Sequence, residues 1–169
     1  LTWAYAFNHD EAIRSFKEVA RLDPNCAMAW WGVALCNGPH INNPAVAPEN
    51  AAAAWDALQK AQALKSRASA KEQALIDAVA RRYANPQPAD RRPLDEAYMA
   101  AMAKVYETYP DDADIATLYA ESMMDLQPWD MWTKDGKPKG NNEMILGVLD
   151  RALALNPAHP GANHLLIHA

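Results

Sequence analysis

The chain has 169 residues, half of them apolar, and carries a formal charge of −5 with a pI near 5.5. That length suffices for one compact domain or a short solenoid. The acidic balance leaves no basic footprint for nucleic acid or for an anionic membrane, and no apolar run approaches the roughly 20 residues that a spanning helix needs.

The chain opens inside an apolar stretch, Leu1 to Phe7, which reads as the second half of a helix. It stops at Ala169 in mid-pattern, so the expectation is a piece of a longer protein. Asn8, His9 and Asp10 form a turn with cap chemistry, because Asn and Asp accept from the free N–H groups of a helix start. The next helix runs to about Leu22, with Ala12, Ile13, Phe16, Val19 and Ala20 on one face. Asp23, Pro24 and Asn25 break it, and Pro24 fits the first turn of the helix that follows, where its missing N–H costs nothing.

That following helix spans Cys26 to about Asn37 and carries Trp30, Val33, Ala34 and Asn37. Cys26 and Cys36 lie near its two ends, about 15 Å apart at the helical rise. A disulfide needs Cα atoms within about 7 Å, so the two cannot pair and read as small buried apolar residues. Further on, Ala54, Leu58 and Ala61 mark a second helix, and Ser69 with Glu72 makes a capping box for a helix reaching about Tyr83. Pro93 starts a helix through Tyr98, Met102 and Val105 that ends at Pro110. Ile115, Ala116, Tyr119, Ala120 and Met123 form the next, Met144 to Leu155 another, and Gly161 to Ala169 begins one more. Met99, Met102, Met123, Met124, Trp30 and Trp55 read as core. The arginines Arg81, Arg82, Arg91 and Arg92 flank a loop rich in Pro and read as a solvated face.

One spacing recurs. Phe16 stands eight residues before Pro24, Met102 eight before Pro110, and Leu149 eight before Pro157. Together with Ala12, Trp30, Val33 and Ala34, these residues resemble the tetratricopeptide repeat, whose pattern is W-x2-L-G-x2-Y followed by A-x3-F and a proline. Asn37 departs from the tyrosine of that pattern, Ser66 stands in a proline slot, and Ala116 takes a tryptophan slot. The resemblance implies an all-α, right-handed superhelix of antiparallel helix hairpins, at about 1–22, 25–65, 69–109 and 111–155, with another starting at 158–169. Pro110 and Pro157 are 47 residues apart, against about 34 for a standard repeat. The excess falls in two loops, Gly38 to Ala47 and roughly Leu126 to Asn142.

In a stack of hairpins, all turns between first and second helices lie along one edge. Both long loops and the Asn8–Asp10 turn are of that kind, so His9, His40, Trp129, Trp132 and His168 should gather on one rim, with His164 one helical turn before His168. Insertions in such stacks map to binding faces. His164 and His168 are four apart, the spacing by which two imidazoles on a helix share a metal. The bland alternative is that either ring bonds inside the stack or faces solvent, that His9 caps a turn and that His40 merely decorates its loop. Trp129 and Trp132 either cover the edge of the stack or line a pocket.

Two functions follow from this reading. The resemblance implies an interaction scaffold that takes an extended or helical peptide of a partner protein. The rim instead implies a metal or small-ligand site, with His9, His40, His164 and His168 as ligands of a transition metal and Asp10 as hydrogen-bond partner to an imidazole. No nucleophile–base motif, phosphate loop or Cys/His cluster argues for an enzyme.

Overall fold

The computed structural model describes all 169 residues, and every regular element in it is helical. The nine α-helices are α1 (Thr2–Tyr5), α2 (His9–Leu22), α3 (Ala27–Cys36), α4 (Pro48–Leu64), α5 (Ala70–Val79), α6 (Arg92–Thr108), α7 (Ala113–Met124), α8 (Asn142–Leu155) and α9 (Pro160–His168). None is long and apolar enough to cross a membrane.

Local chemistry sets most of the helix starts. Asn8 accepts from the Glu11 N–H, Asp112 from Ile115 and His159 from Ala162, each at the position where a helix leaves N–H groups unpaired. Ser69 and Glu72 bond reciprocally as a capping box. Pro48, Pro93 and Pro160 occupy first turns. Pro24 does not, contrary to the expectation. It sits in the joint between α2 and α3, and Ala27 opens the helix. The same joint recurs at Pro110 and Pro157: four residues with proline second, each ending one helix and releasing the next at a fixed offset. That repetition is the physical content of the proline spacing.

Consecutive helices pack against one another along the chain, and three further contacts link α3 with α5, α7 with α9, and α1 with α9. Of these helices, α3 and α7 are buried along nearly their whole length. The two ends of the chain meet. Tyr5 of α1 donates to Asp114 at 2.6 Å and stacks at a tilt on His159, with ring centres 5.2 Å apart. Its ring lies against Gly161, where a Cβ would come within 2.6 Å of the ring. A second close approach joins α2 to α3, since a Cβ on Gly32 would fall 2.4 Å from the Phe16 ring. A continuous cluster of 33 buried apolar residues runs from Tyr5 to Leu165.

Trp30 is half-buried and packs against the core, with the Lys60 ammonium 4.1 Å over its ring, whereas Trp31 is the fully buried indole and donates to the Leu75 carbonyl at 3.2 Å. One expectation fails here. Arg82 is no part of a solvated face, being 2% exposed. The short 3-10 turn after α5 carries it inward, where a buried charge needs a partner. Asp125 supplies the counter-charge, Pro39 a carbonyl at 2.9 Å, and Tyr98 a ring face at 4.5 Å. Arg91 is likewise mostly buried and forks onto Asp95.

Candidate functional site

Three segments far apart in sequence deliver four of the five histidines to one place. His9 begins α2, directly after the turn that follows α1. His40 lies in the loop between α3 and α4, where its backbone exchanges two hydrogen bonds with Asn43. His164 and His168 lie one turn apart at the end of α9. Phe7 stands between them: its ring centre is 6.0 Å from His9, 5.2 Å from His40, 4.4 Å from His164 and 5.8 Å from His168.

The four imidazoles form two pairs around this ring. His9 and His40 meet edge to face at 4.4 Å, and His164 and His168 face each other with their Nε2 atoms 3.1 Å apart. No three His, Cys, Asp or Glu side chains converge closely enough to hold one metal ion. The four histidines thus share a rim without forming a single ligand set. Asp10 lines the adjoining cleft but is hydrogen-bonded to none of them.

Backbone strain marks the same spot. Phe7 (φ +55°) and Trp129 (φ +60°) are the only non-glycine residues in the left-handed region. Bulky side chains adopt that conformation at a cost of about 1–3 kcal/mol each, and only where the surroundings enforce it. Both pack on the cluster, Phe7 centrally and Trp129 edge-on to His168 at 5.1 Å. Trp132 donates from its indole N–H to the Ala169 carbonyl at 2.9 Å, tying the second long loop to the end of α9. Gln127 pins that loop from below through Lys139 and Asn141. Trp129 remains 62% exposed and Trp132 44%, so they border the cluster without sealing it.

Burial and neighbouring charges favour the neutral form of His9, His40 and His168. Burial, then His40, then the Arg82 charge push the His9 pKa down to about 4. Burial followed by Arg82 lowers His40, and burial followed by His164 lowers His168. The His40 Nδ1 is buried without a protein partner. Behind His9 lies a cavity of about 10 Å³, bordered by Tyr5, Cys36, Arg82 and Glu121. Burial raises the Glu121 pKa, with Arg82 and His164 pulling it back only in part. In front opens a cleft of about 300 Å³, lined by His9, His40 and the amides of Asn8, Asn37, Asn43 and Asn50. That volume lies at the lower end of small-ligand pockets.

Sequence reasoning misses Phe7, Glu121, Arg82 and Asp125. Each stands in a stretch that reads as apolar helix or charged loop. The fifth histidine, His159, is 4% exposed and serves as the cap of α9 and partner of Asp114 at 3.1 Å, away from the rim. Chemically, the rim offers imidazoles beside an amide-lined cleft, with the His40 Nδ1 lacking a protein partner, a setting for coordination or hydrogen bonding. Comparison of the chain with known protein families, with curated proteins and with solved structures finds no match.

Proposed function

We propose that this is a tetratricopeptide-like helical-repeat domain whose working surface is the histidine-lined rim, where it binds a small ligand or metal ion. One observation carries the reading: four histidines from three separate segments converge on Phe7, and the two strained non-glycine residues of the chain both pack on them. Strain and lengthened loops concentrate at functional sites because a bare scaffold has no use for either. The superhelical arrangement is part of the proposal. It draws support from the three equivalent proline joints and from the packing of each helix on the next along the chain.

The test is a thermal-shift panel of divalent metal ions, inorganic anions and short peptides. The parent is run beside His9→Ala/His40→Ala and His164→Ala/His168→Ala. A ligand at a hundredfold excess over its Kd stabilises by about 2.7 kcal/mol, or roughly 5–10 °C for a chain of this length. At least one class should produce such a shift in the parent and lose it in one double variant. A panel without shifts, or shifts that survive both variants, rejects the rim.

A second reading follows the repeat resemblance, in which the chain is an interaction scaffold for a peptide of a partner protein. Its support is exposed apolar surface at the end of α9 and in the second long loop, where Ile167 is 82% exposed and Trp129 62%. The two readings separate by residue: Ile167→Asp abolishes peptide docking and leaves small-ligand shifts intact.

A further inference from the structure

We infer that the His164–His168 pair is the seat of a late first-row transition metal ion, held by the two Nε2 atoms and open on its other coordination positions. The inference rests on the rim reading and names the ligand of that site.

The first argument is metric. Imidazole nitrogens sit about 2.0–2.1 Å from zinc and similar ions, so two neighbouring ligands are about 2.9 Å apart at a right angle and about 3.4 Å apart at a tetrahedral angle. The observed Nε2–Nε2 distance of 3.1 Å falls between these values. Two residues four apart on a helix present rings on one face, and here the rings already point at each other.

The second argument concerns the proton. The His164 Nδ1 is hydrogen-bonded to the Tyr5 carbonyl, which can only accept, so that nitrogen carries the hydrogen. In the neutral ring Nε2 is then the acceptor and takes the hydrogen bond from the His168 Nε2–H, so an ion seated between the rings replaces that hydrogen while His168 shifts its proton to Nδ1. A metal-bound histidine typically donates its other N–H to a carbonyl in this way, which fixes both tautomer and ring orientation. Phe7 and Trp129 fix the remaining freedom by packing on His168 from two sides, each through a strained backbone.

The third argument is the charge. Two neutral imidazoles leave a divalent ion uncompensated, but Glu121 lies near enough to His164 for the two charges to interact. Glu121 also faces the Arg82 charge and burial favours its protonated form, so it compensates a bound cation by releasing its proton. Absence of a third protein ligand within reach leaves positions for water or an external donor. Imidazole donors favour copper, nickel and zinc over calcium and magnesium, and among divalent ions copper should bind tightest.

The experiment is isothermal titration of the untagged full chain with Cu²⁺ and, separately, Zn²⁺. The parent is compared with His164→Ala, His168→Ala and His40→Ala, all checked for native helicity by circular dichroism. The inference requires one equivalent of Cu²⁺, with affinity at least tenfold weaker in His164→Ala and in His168→Ala and within threefold of the parent in His40→Ala. Electron paramagnetic resonance of the parent–Cu²⁺ complex should show coupling to two imidazole nitrogens, a readout that holds even where a variant folds poorly. No binding, binding indifferent to either α9 histidine, or an equal loss in His40→Ala overturns it. If metals fail while another class in the thermal panel succeeds through His9 and His40, the rim reading stands and the metal assignment alone falls. If both fail, the rim reading falls too.

Discussion

At the scale of single residues, the most consequential side chain is Arg82. A guanidinium taken out of water is tolerable only when its charge is met, and Asp125 meets it while the Pro39 carbonyl and the Tyr98 ring add contacts from two further segments, with the Nε alone left buried and unpaired. Burial alone would lower the arginine pKa, but Asp125 reverses this and holds the group charged. Removing one partner strands the other. Arg82→Ala should therefore cost about 3–5 kcal/mol in urea unfolding. Asp125→Ala should cost a similar amount, and the double variant much less than the sum. Simple additivity in that cycle would mean the pair contributes no coupling. The same residue also touches the rim, because its charge helps keep His9 and His40 neutral. The stability core and the candidate site thus share one charged group.

At the scale of elements, glycine shows how helix packing places the site. Gly161 lets α9 lie against the Tyr5 ring of α1 and the Thr117 methyl of α7, with no room for a methyl group of its own. Gly147, in the exposed middle of α8, has nothing within 4 Å of where a Cβ would stand. The same substitution should thus act with opposite signs. Gly147→Ala gains about 0.5–1 kcal/mol of helix propensity, while Gly161→Ala loses about 1–3 kcal/mol through overpacking. Chemical denaturation of the two variants checks this, and a destabilised Gly147→Ala or an unaffected Gly161→Ala would contradict the packing described. Gly161→Ala should also displace His164, three residues on. The helices themselves are legible in the sequence, since proline spacing, the Ser69–Glu72 box and apolar periodicity are local signals that act within one turn. So is the gathering of His9, His40, His164 and His168, because the repeat resemblance puts the turns carrying His9 and His40 and the end of the last helix on one edge. What is not legible depends on distant partners. Asp125 lies 43 residues from the Arg82 it buries. Helix phase decides between Trp30 and Trp31, and the division of four histidines into two pairs depends on where the Phe7 ring comes to rest.

At the scale of the whole molecule, the rim makes stability depend on pH with a definite sign. His9 titrates near pH 4 when folded, against about 6.5 in the unfolded chain, because burial disfavours the imidazolium and His40 and Arg82 repel it. Between those values the unfolded chain binds the proton and the folded chain does not, so stability rises with pH across this window and falls on acidification. His40 and His168 are shifted in the same direction and add to the slope. Glu121 acts against it: burial raises its folded pKa, so folding retains that proton and the stability it confers fades as pH rises through the raised value. The net curve mixes these opposed contributions, whereas a comparison with His9→Gln isolates one of them. Since His9 keeps some contact with solvent, its share between pH 6.5 and 4 should be about 1–2 kcal/mol after screening. Urea midpoints at pH 7 and pH 5 should therefore separate further in the parent than in His9→Gln. Equal separations would place His9 in contact with bulk water, and the rim would then lack the desolvated, neutral imidazole on which its ligand chemistry depends.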